Sequence, residues 1–172
     1  ENSIKNIKIK SSNNFIKDVT SFLNVIDYSL YRYAIYSQIN KGSLNFELEA
    51  KFENFSENIK SYLISGSINN AELNLVGYEN LNDINLNFQA KEQIVKISDL
   101  NFNYDGIEFL SKGIEAKTIK SGEYYVKGDI ENIEALLNPN LIFKLTNIKQ
   151  DYLSGKDISL KSKNIFSFEF SQ

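Results

Sequence analysis

Glu47, Glu49 and Glu53 recur at even steps along SLNFELEAKFE, residues 43–53. Two carboxylates on one strand face are the minimum equipment for glycoside hydrolysis, one to protonate the leaving group and one to attack or to activate water. They share that face with Asn45 and Lys51, opposite the stripe Leu44, Phe46, Leu48, Ala50 and Phe52. A solvated polar face explains them more simply than a catalytic pair. Other chemistry has little to work with. The chain has no His and no Cys, so Ser-His-Asp and Cys-His nucleophiles, histidine metal sites and thiolate sites are excluded. Its glycines are scattered at turns and strand ends and form no phosphate loop. Asp99 and Asp105 are conceivable calcium ligands, but a bulge and a turn account for them. The expectation is no enzyme, no catalytic residue, no metal and no cofactor.

What remains is apolar. NDINLNFQA, residues 82–90, sets Ile84, Leu86, Phe88 and Ala90 against Asn85, Asn87 and Gln89. That is a strand with one greasy face and one wet one. Phe88, Phe102, Phe166, Phe168 and Phe170 fit either ordinary core packing or the lining of a lipid path.

The elements that position these residues follow from the period of the pattern. SIKNIKIK reads as a short strand with Ile7 and Ile9 on one face. Phe15, Val19, Phe22, Leu23, Ile26, Leu30, Tyr33 and Ala34 then recur at steps of three and four, which predicts an amphipathic helix over about 14–38. Beyond Gly42 the chain reads as strands. Asp105-Gly106 predicts a type I′ hairpin turn. ENIEALLNP predicts one helical turn ahead of Pro139, and NLIFKL at 140–145 a strand. DISLKSKNIFSFEF at 157–170 ends the series with Phe166, Phe168 and Phe170 on one face. The fold class is mainly β with one N-terminal helix, an antiparallel meander over 43–171. Residues 68–75 and 97–104 echo each other at an offset of 97 − 68 = 29. In both, two polar residues flip the apolar parity, the mark of a bulge or of a crossing to the other face.

A helix of about 24 residues is roughly 36 Å long and about 10 Å wide. It covers two or three strands at about 4.8 Å spacing. Most strands therefore need other cover. Closure into a sandwich or barrel is the default for a soluble domain, and an open trough makes sense only with something apolar to fill it.

The chain has 172 residues, 42% hydrophobic and 24% charged, with 19 Lys+Arg against 22 Asp+Glu. That is a globular composition in one domain, and its opening on Glu1 suggests a segment, 1–172, of a longer protein. Arg32 is the only arginine and no basic run stands out, so nucleic acid is not an expected partner. The richness in Asn, Ile and Lys reads as the imprint of an AT-rich bacterial genome.

The order of parts carries a resemblance. An amphipathic helix leads into Gly42-Ser43-Leu44. GSINNAELNL (66–75), NDINLNF (82–88), IVKISDLNF (94–102), DGIEFLSKG (105–113) and VKGDIENI (126–133) follow. This series resembles the AsmA-like superfamily of Gram-negative envelope proteins, the AsmA/TamB/YhdP type, with the YhdP branch the most similar. It covers roughly residues 12–135. The resemblance implies a curved, taco-shaped β-groove in a periplasmic protein anchored to the inner membrane. Its function would be bridge-like lipid transfer, with phospholipid carried between inner and outer membranes. Partners would be phospholipid and other envelope proteins, with membrane contact through the rest of the parent. The groove-lining candidates are Leu44, Phe46, Leu48, Phe52, Ile84, Leu86, Phe88, Val95, Ile97, Leu100, Phe102, Phe166, Phe168 and Phe170. The alternative is a structural or protein-interaction β-module of the envelope or cell surface with a closed core.

Overall fold

Alternation at period 2 governs most of this chain, and strands result. The computed structural model describes residues 5–16, 39–52, 59–74, 80–137, 139–146 and 158–171. They form β1 (Asn6–Phe15), β2 (Ile39–Phe52), β3 (Ile59–Leu73), β4 (Leu81–Lys91), β5 (Ile94–Tyr104), β6 (Ile107–Lys120), β7 (Glu123–Leu137), a short helix α1 (Pro139–Thr146) and β8 (Ile158–Ser171). The eight strands make one sheet in sequence order, each antiparallel to its neighbours. Among the described residues β1 and β8 do not pair, and substantial contact runs only between adjacent strands. The sheet is open and single-layered there, an open antiparallel meander as the fold class expected and not the sandwich or barrel that is the default for a soluble domain.

Local chemistry explains the meander. Asp105 and Gly106 have φ of 50° and 81°, as a type I′ turn requires at both central positions. The Gly106 N–H donates to Asn103 Oδ1 at 2.9 Å and holds the turn. Inside the strands, Asn13, Asn70, Asp83 and Asp99 also have positive φ, between 51° and 57°. Asn and Asp tolerate this left-handed region better than other non-glycine residues. Asn13, Asn70 and Asp83 sit where the pairing register shifts in β1, β3 and β4, and Asp99 lies in the β5 stretch whose pairing with β4 shifts. Asn70 and Asp99 hold equivalent places in the sequence echo, since 99 − 70 = 29. The parity flips are therefore bulges within continuous strands.

Three expected elements differ. Asn14 and Phe15, expected to open the helix over 14–38, instead close β1 opposite Leu44 and Ser43. The Asn13 bulge resets the alternation and lets the strand continue. The rest of that helix, residues 17–38, lies outside the described residues. ENIEALL extends β7 to Leu137, with a register shift between Asn132 and Ala135. That shift spaces Ile133 and Leu136 as a helix would. Residues 140–145 are helical, because Pro139 at the first position of α1 brings a helical φ and needs no N–H partner.

The sheet bends toward its apolar side. A Cβ on Gly66 would overlap the Asn45 carbonyl oxygen of the next strand, and one on Gly128 would lie 2.9 Å from the Gly113 oxygen. Backbone can crowd that side only where the neighbouring strand curls over it. The best-buried cluster lies at the bulged end, where Ile16 packs with Leu44, Ala71 and Ile84. A smaller one joins Ile107 and Ala135 near the far side.

Candidate functional site

The pairing registers assemble the apolar residues into rows running across the strands. One row is Ile9, Leu48, Ile64, Ala90, Val95, Ala116, Val126 and Phe168, one residue from each of the eight strands and all apolar. The next is Ser11, Phe46, Gly66, Phe88, Ile97, Ile114, Gly128 and Phe166. Seven strand spacings of about 4.8 Å make such a row roughly 34 Å long. The row lying between them in register is polar throughout: Lys10, Glu47, Ser65, Gln89, Lys96, Glu115, Lys127 and Ser167. The pleat sends it to the opposite face.

Every groove-lining candidate lies on the apolar face. Leu48, Val95 and Phe168 are in the first row, and Phe46, Phe88, Ile97 and Phe166 in the second. Leu44 pairs through Ile68 with Leu86, and Ile84 opposes Ala71. Leu100 and Phe102 oppose Ser111 and Phe109, and the two phenyl rings stack at 5.2 Å. Phe170 stacks on Tyr124 at 5.1 Å, and Phe166, Phe168 and Phe170 form a ladder at 6.0 and 6.2 Å along β8. Phe52 ends β2 opposite Ile59, at the rim.

Sequence reasoning missed Gly66 and Gly128. In the second row each glycine sits opposite a phenylalanine whose ring lies over it. Phe88 Cζ is 2.9 Å from where a Gly66 Cβ would be, and Phe166 Cζ is 3.0 Å from that of Gly128. The ring fills the place of the missing side chain, so the row stays apolar while the backbone bends. The pairing of Gly66 with Phe88 needs the register, which no local pattern supplies.

The asparagines were also under-read. At the β1 bulge the Asn13 N–H donates to Asn45 Oδ1 at 2.8 Å, and Asn45 donates onward to Ser67 Oγ at 3.2 Å. At the β3 bulge the Asn70 N–H donates to Asn85 Oδ1 at 3.0 Å. Asn85 in turn donates to Asn101 Oδ1 at 3.0 Å and to the Asp83 carbonyl at 2.7 Å. Asn87 donates to Asp99 at 2.9 Å. Asn132, 2% exposed, holds β8 by donating to the Leu160 carbonyl at 2.7 Å and accepting from the Ser162 N–H at 3.1 Å. A bulge leaves backbone groups off the ladder, and an Asn side chain offers both a donor and an acceptor to meet them. Many of the asparagines thus have a structural task.

The carboxylate candidates are ion-paired. Lys8 Nζ bridges Glu47 and Glu49, at 2.8 Å from the latter. Its hydrogen bond holds the Glu47 carboxyl below the ordinary range. Such a group is poorly suited to act as a general acid. Glu53 lies outside the described residues. Glu115 is likewise held low by Lys117 and Lys127, which approach to 3.1 and 3.4 Å. It lines a depression of about 740 Å³ together with Lys96, Lys163 and Asp129. Those charges largely pair with one another, Lys163 lying 3.7 Å from Asp129. No group of three or more acidic side chains that could hold a metal gathers among the described residues.

The arrangement is a long apolar floor on a bent sheet, with its ion pairs on the reverse. Comparison with family models, with curated proteins and with solved structures finds no match to this chain.

Proposed function

We propose that this chain is a segment of a periplasmic AsmA-like protein whose apolar β-groove carries phospholipid acyl chains between inner and outer membranes. The observation that supports it is the unbroken apolar row across eight strands, on a face that no described strand or helix packs across broadly. Each CH₂ removed from water gains about 0.8 kcal/mol, so an acyl chain of ~16 carbons meets a barrier of roughly 12 kcal/mol if it crosses water bare. A continuous apolar floor lowers that barrier and needs no base, metal or cofactor. Selectivity among lipids would be low, because the rows, Ser11 at the β1 edge apart, present hydrocarbon and no polar group placed to read a headgroup. No helix among the described residues is long and apolar enough to cross a membrane; in this reading membrane contact comes through the rest of the parent protein.

The test is site-specific photo-crosslinking in a Gram-negative envelope, with the probe at Phe88 or at Gln89. These neighbours point to opposite faces of β4. Lipid adducts at 88 and not at 89 are expected. A folded protein with no adduct at 88, or with equal yields at both, would remove the lipid reading. A structural or protein-interaction module is the second reading, and the exposed apolar edge of β8 favours it.

A further inference from the structure

The two edges of the sheet are built differently. Both carry lysines, Lys8 and Lys10 on β1 and Lys161 and Lys163 on β8, but only β1 is broken by a bulge, at Asn13. Charges and bulges are how natural sheets block edge-to-edge pairing. β8 runs 14 residues with no positive-φ residue, and most of its positions are exposed. Its even-numbered positions supply the apolar face. Its odd-numbered ones read Ser159, Lys161, Lys163, Ile165, Ser167, Glu169, Ser171. A single large apolar side chain stands in that polar series. Ile165 is 83% exposed, the highest value among the exposed large hydrophobics of the described residues. It pairs in register with Asp129 on the polar side, so a role in the apolar floor does not explain it.

We infer that β8 is a self-pairing edge, and that its occupant is β8 of a second copy of this chain, antiparallel about a two-fold axis through Ile165. In that register each position before Ile165 faces the equal position after it. Ile165 meets its twin on the axis. Lys161 faces Glu169 of the other copy, twice by symmetry. Neither of these exposed side chains has an ion-pair partner among the described residues. On the other face Leu160 lies opposite Phe170, while Phe168 and Phe166, which end the two apolar rows, face Ser162 and Asn164 of the other copy. The contact is isologous and closes at two chains. It uses the main-chain groups that an edge strand leaves free. It does not depend on what the apolar face carries.

The experiment is light scattering and sedimentation of the 172-residue chain over a concentration series, with variants at positions that the fold does not need. A dimer is expected. Ile165→Lys places two like charges on the axis and should weaken it roughly tenfold or more. Lys161→Glu should weaken it by a smaller factor, and Lys161→Glu with Glu169→Lys should restore it. Because the chain has no cysteine, Ile165→Cys should oxidise to a disulfide-linked dimer, while Ile119→Cys, also exposed, should not. A chain monomeric at hundreds of micromolar overturns the inference. So does a dimer indifferent to Ile165→Lys, or an open-ended polymer, which would mean β8 pairing with β1.

Discussion

The same device bends the sheet twice, and its two settings differ. In β3, Gly66 lies under Phe88, close to the cluster of Ile16, Leu44, Ala71 and Ile84. In β7, Gly128 lies under Phe166, beside Phe168, which is 50% exposed. Around the first glycine, side chains from β2 to β5 pack on buried residues. Around the second, Leu160 on the same face is open to solvent, and Leu136 and Ile165 stand exposed on the reverse. One half of the apolar face resembles a core, and the other resembles a contact surface. The polar clamps follow the same division. Asn45, Asn85 and Asn87 serve the bulges of β1, β3 and β5 within the first half, whereas Asn132 ties down the free edge.

The largest difference should appear at the glycines. Gly66→Ala drives a methyl into the Asn45 carbonyl, which is backbone and cannot swing away. Overpacking of this kind costs about 1–3 kcal/mol, and Gly66 belongs at or above the top of that range. At Gly128 the nearest atoms are at 2.9–3.0 Å and include the Ile114 and Phe166 side chains, so Gly128→Ala belongs near the bottom. Urea unfolding of the two variants measures this directly. Equal losses would mean that the halves are equally rigid. Truncation comes next. Ile84, 8% exposed, should lose about 2–4 kcal/mol as Ile84→Ala. Phe168→Ala should lose less than about 1 kcal/mol, because half of its surface is already in water. A Phe168→Ala loss as large as that of Ile84→Ala would show that the open half is packed after all.

These residues also mark how far the sequence can be read. Ile84, Leu86 and Phe88 declare their face by alternation alone. The flips at Asn69-Asn70 and Ser98-Asp99 declare bulges, because two consecutive polar residues cannot share one face of a regular strand. Residues 131–137 mislead for the same reason. A bulge beyond Asn132 turns a period of two into a spacing that imitates a helix, and no local signal separates the two. The open sheet is expected from the resemblance and not from the alternation, which leaves closure as the default. Closure depends on which strands meet, and the helix-reach argument counted uncovered faces without knowing whether they faced one another. The asparagines looked like genome composition because their partners lie up to 32 positions away, as Asn45 lies from Asn13.

That last point can be tested on its own. Asn85→Ala removes the acceptor of the Asn70 N–H and the donor to Asn101. Water can reach the exposed Asn70, so the loss should be about 1 kcal/mol, the worth of a typical hydrogen bond and not of an orphaned buried group. Asn132→Ala strips two partners from a site only 2% exposed and should cost more, about 1–3 kcal/mol. Hydrogen exchange would locate the damage. Asn85→Ala should loosen β3–β4, and Asn132→Ala should release β8. If both variants loosened the whole sheet equally, the clamps would not be local and the two halves would unfold as one.

The smallest effect is electrostatic and also divides the sheet. Glu47 on β2 and Glu72 on β3 are held below their ordinary value of 4.5 by hydrogen bonds from Lys8 and Lys41. Among the described residues of the other half only Glu115 on β6 is so held, by Lys117 and Lys127. A carboxyl whose folded value is depressed stabilises the fold above its unfolded value, and the contribution is lost as pH falls through the folded one. The lysines work in the other direction. Lys8 and Lys41 are raised above 10.5, so their share is complete below that value and is lost as pH rises past it. Each pair therefore contributes across the neutral range and fades at both extremes. All of these side chains reach solvent, and salt at 1 M shortens the screening length to about 3 Å. Glu47→Gln should thus destabilise slightly at pH 7 in low salt, and should match the wild type at pH 3 or in 1 M salt. A gap that survived acid and salt alike would mean that Glu47 supports the β1–β2 pairing by packing, and the electrostatic difference between the halves would disappear.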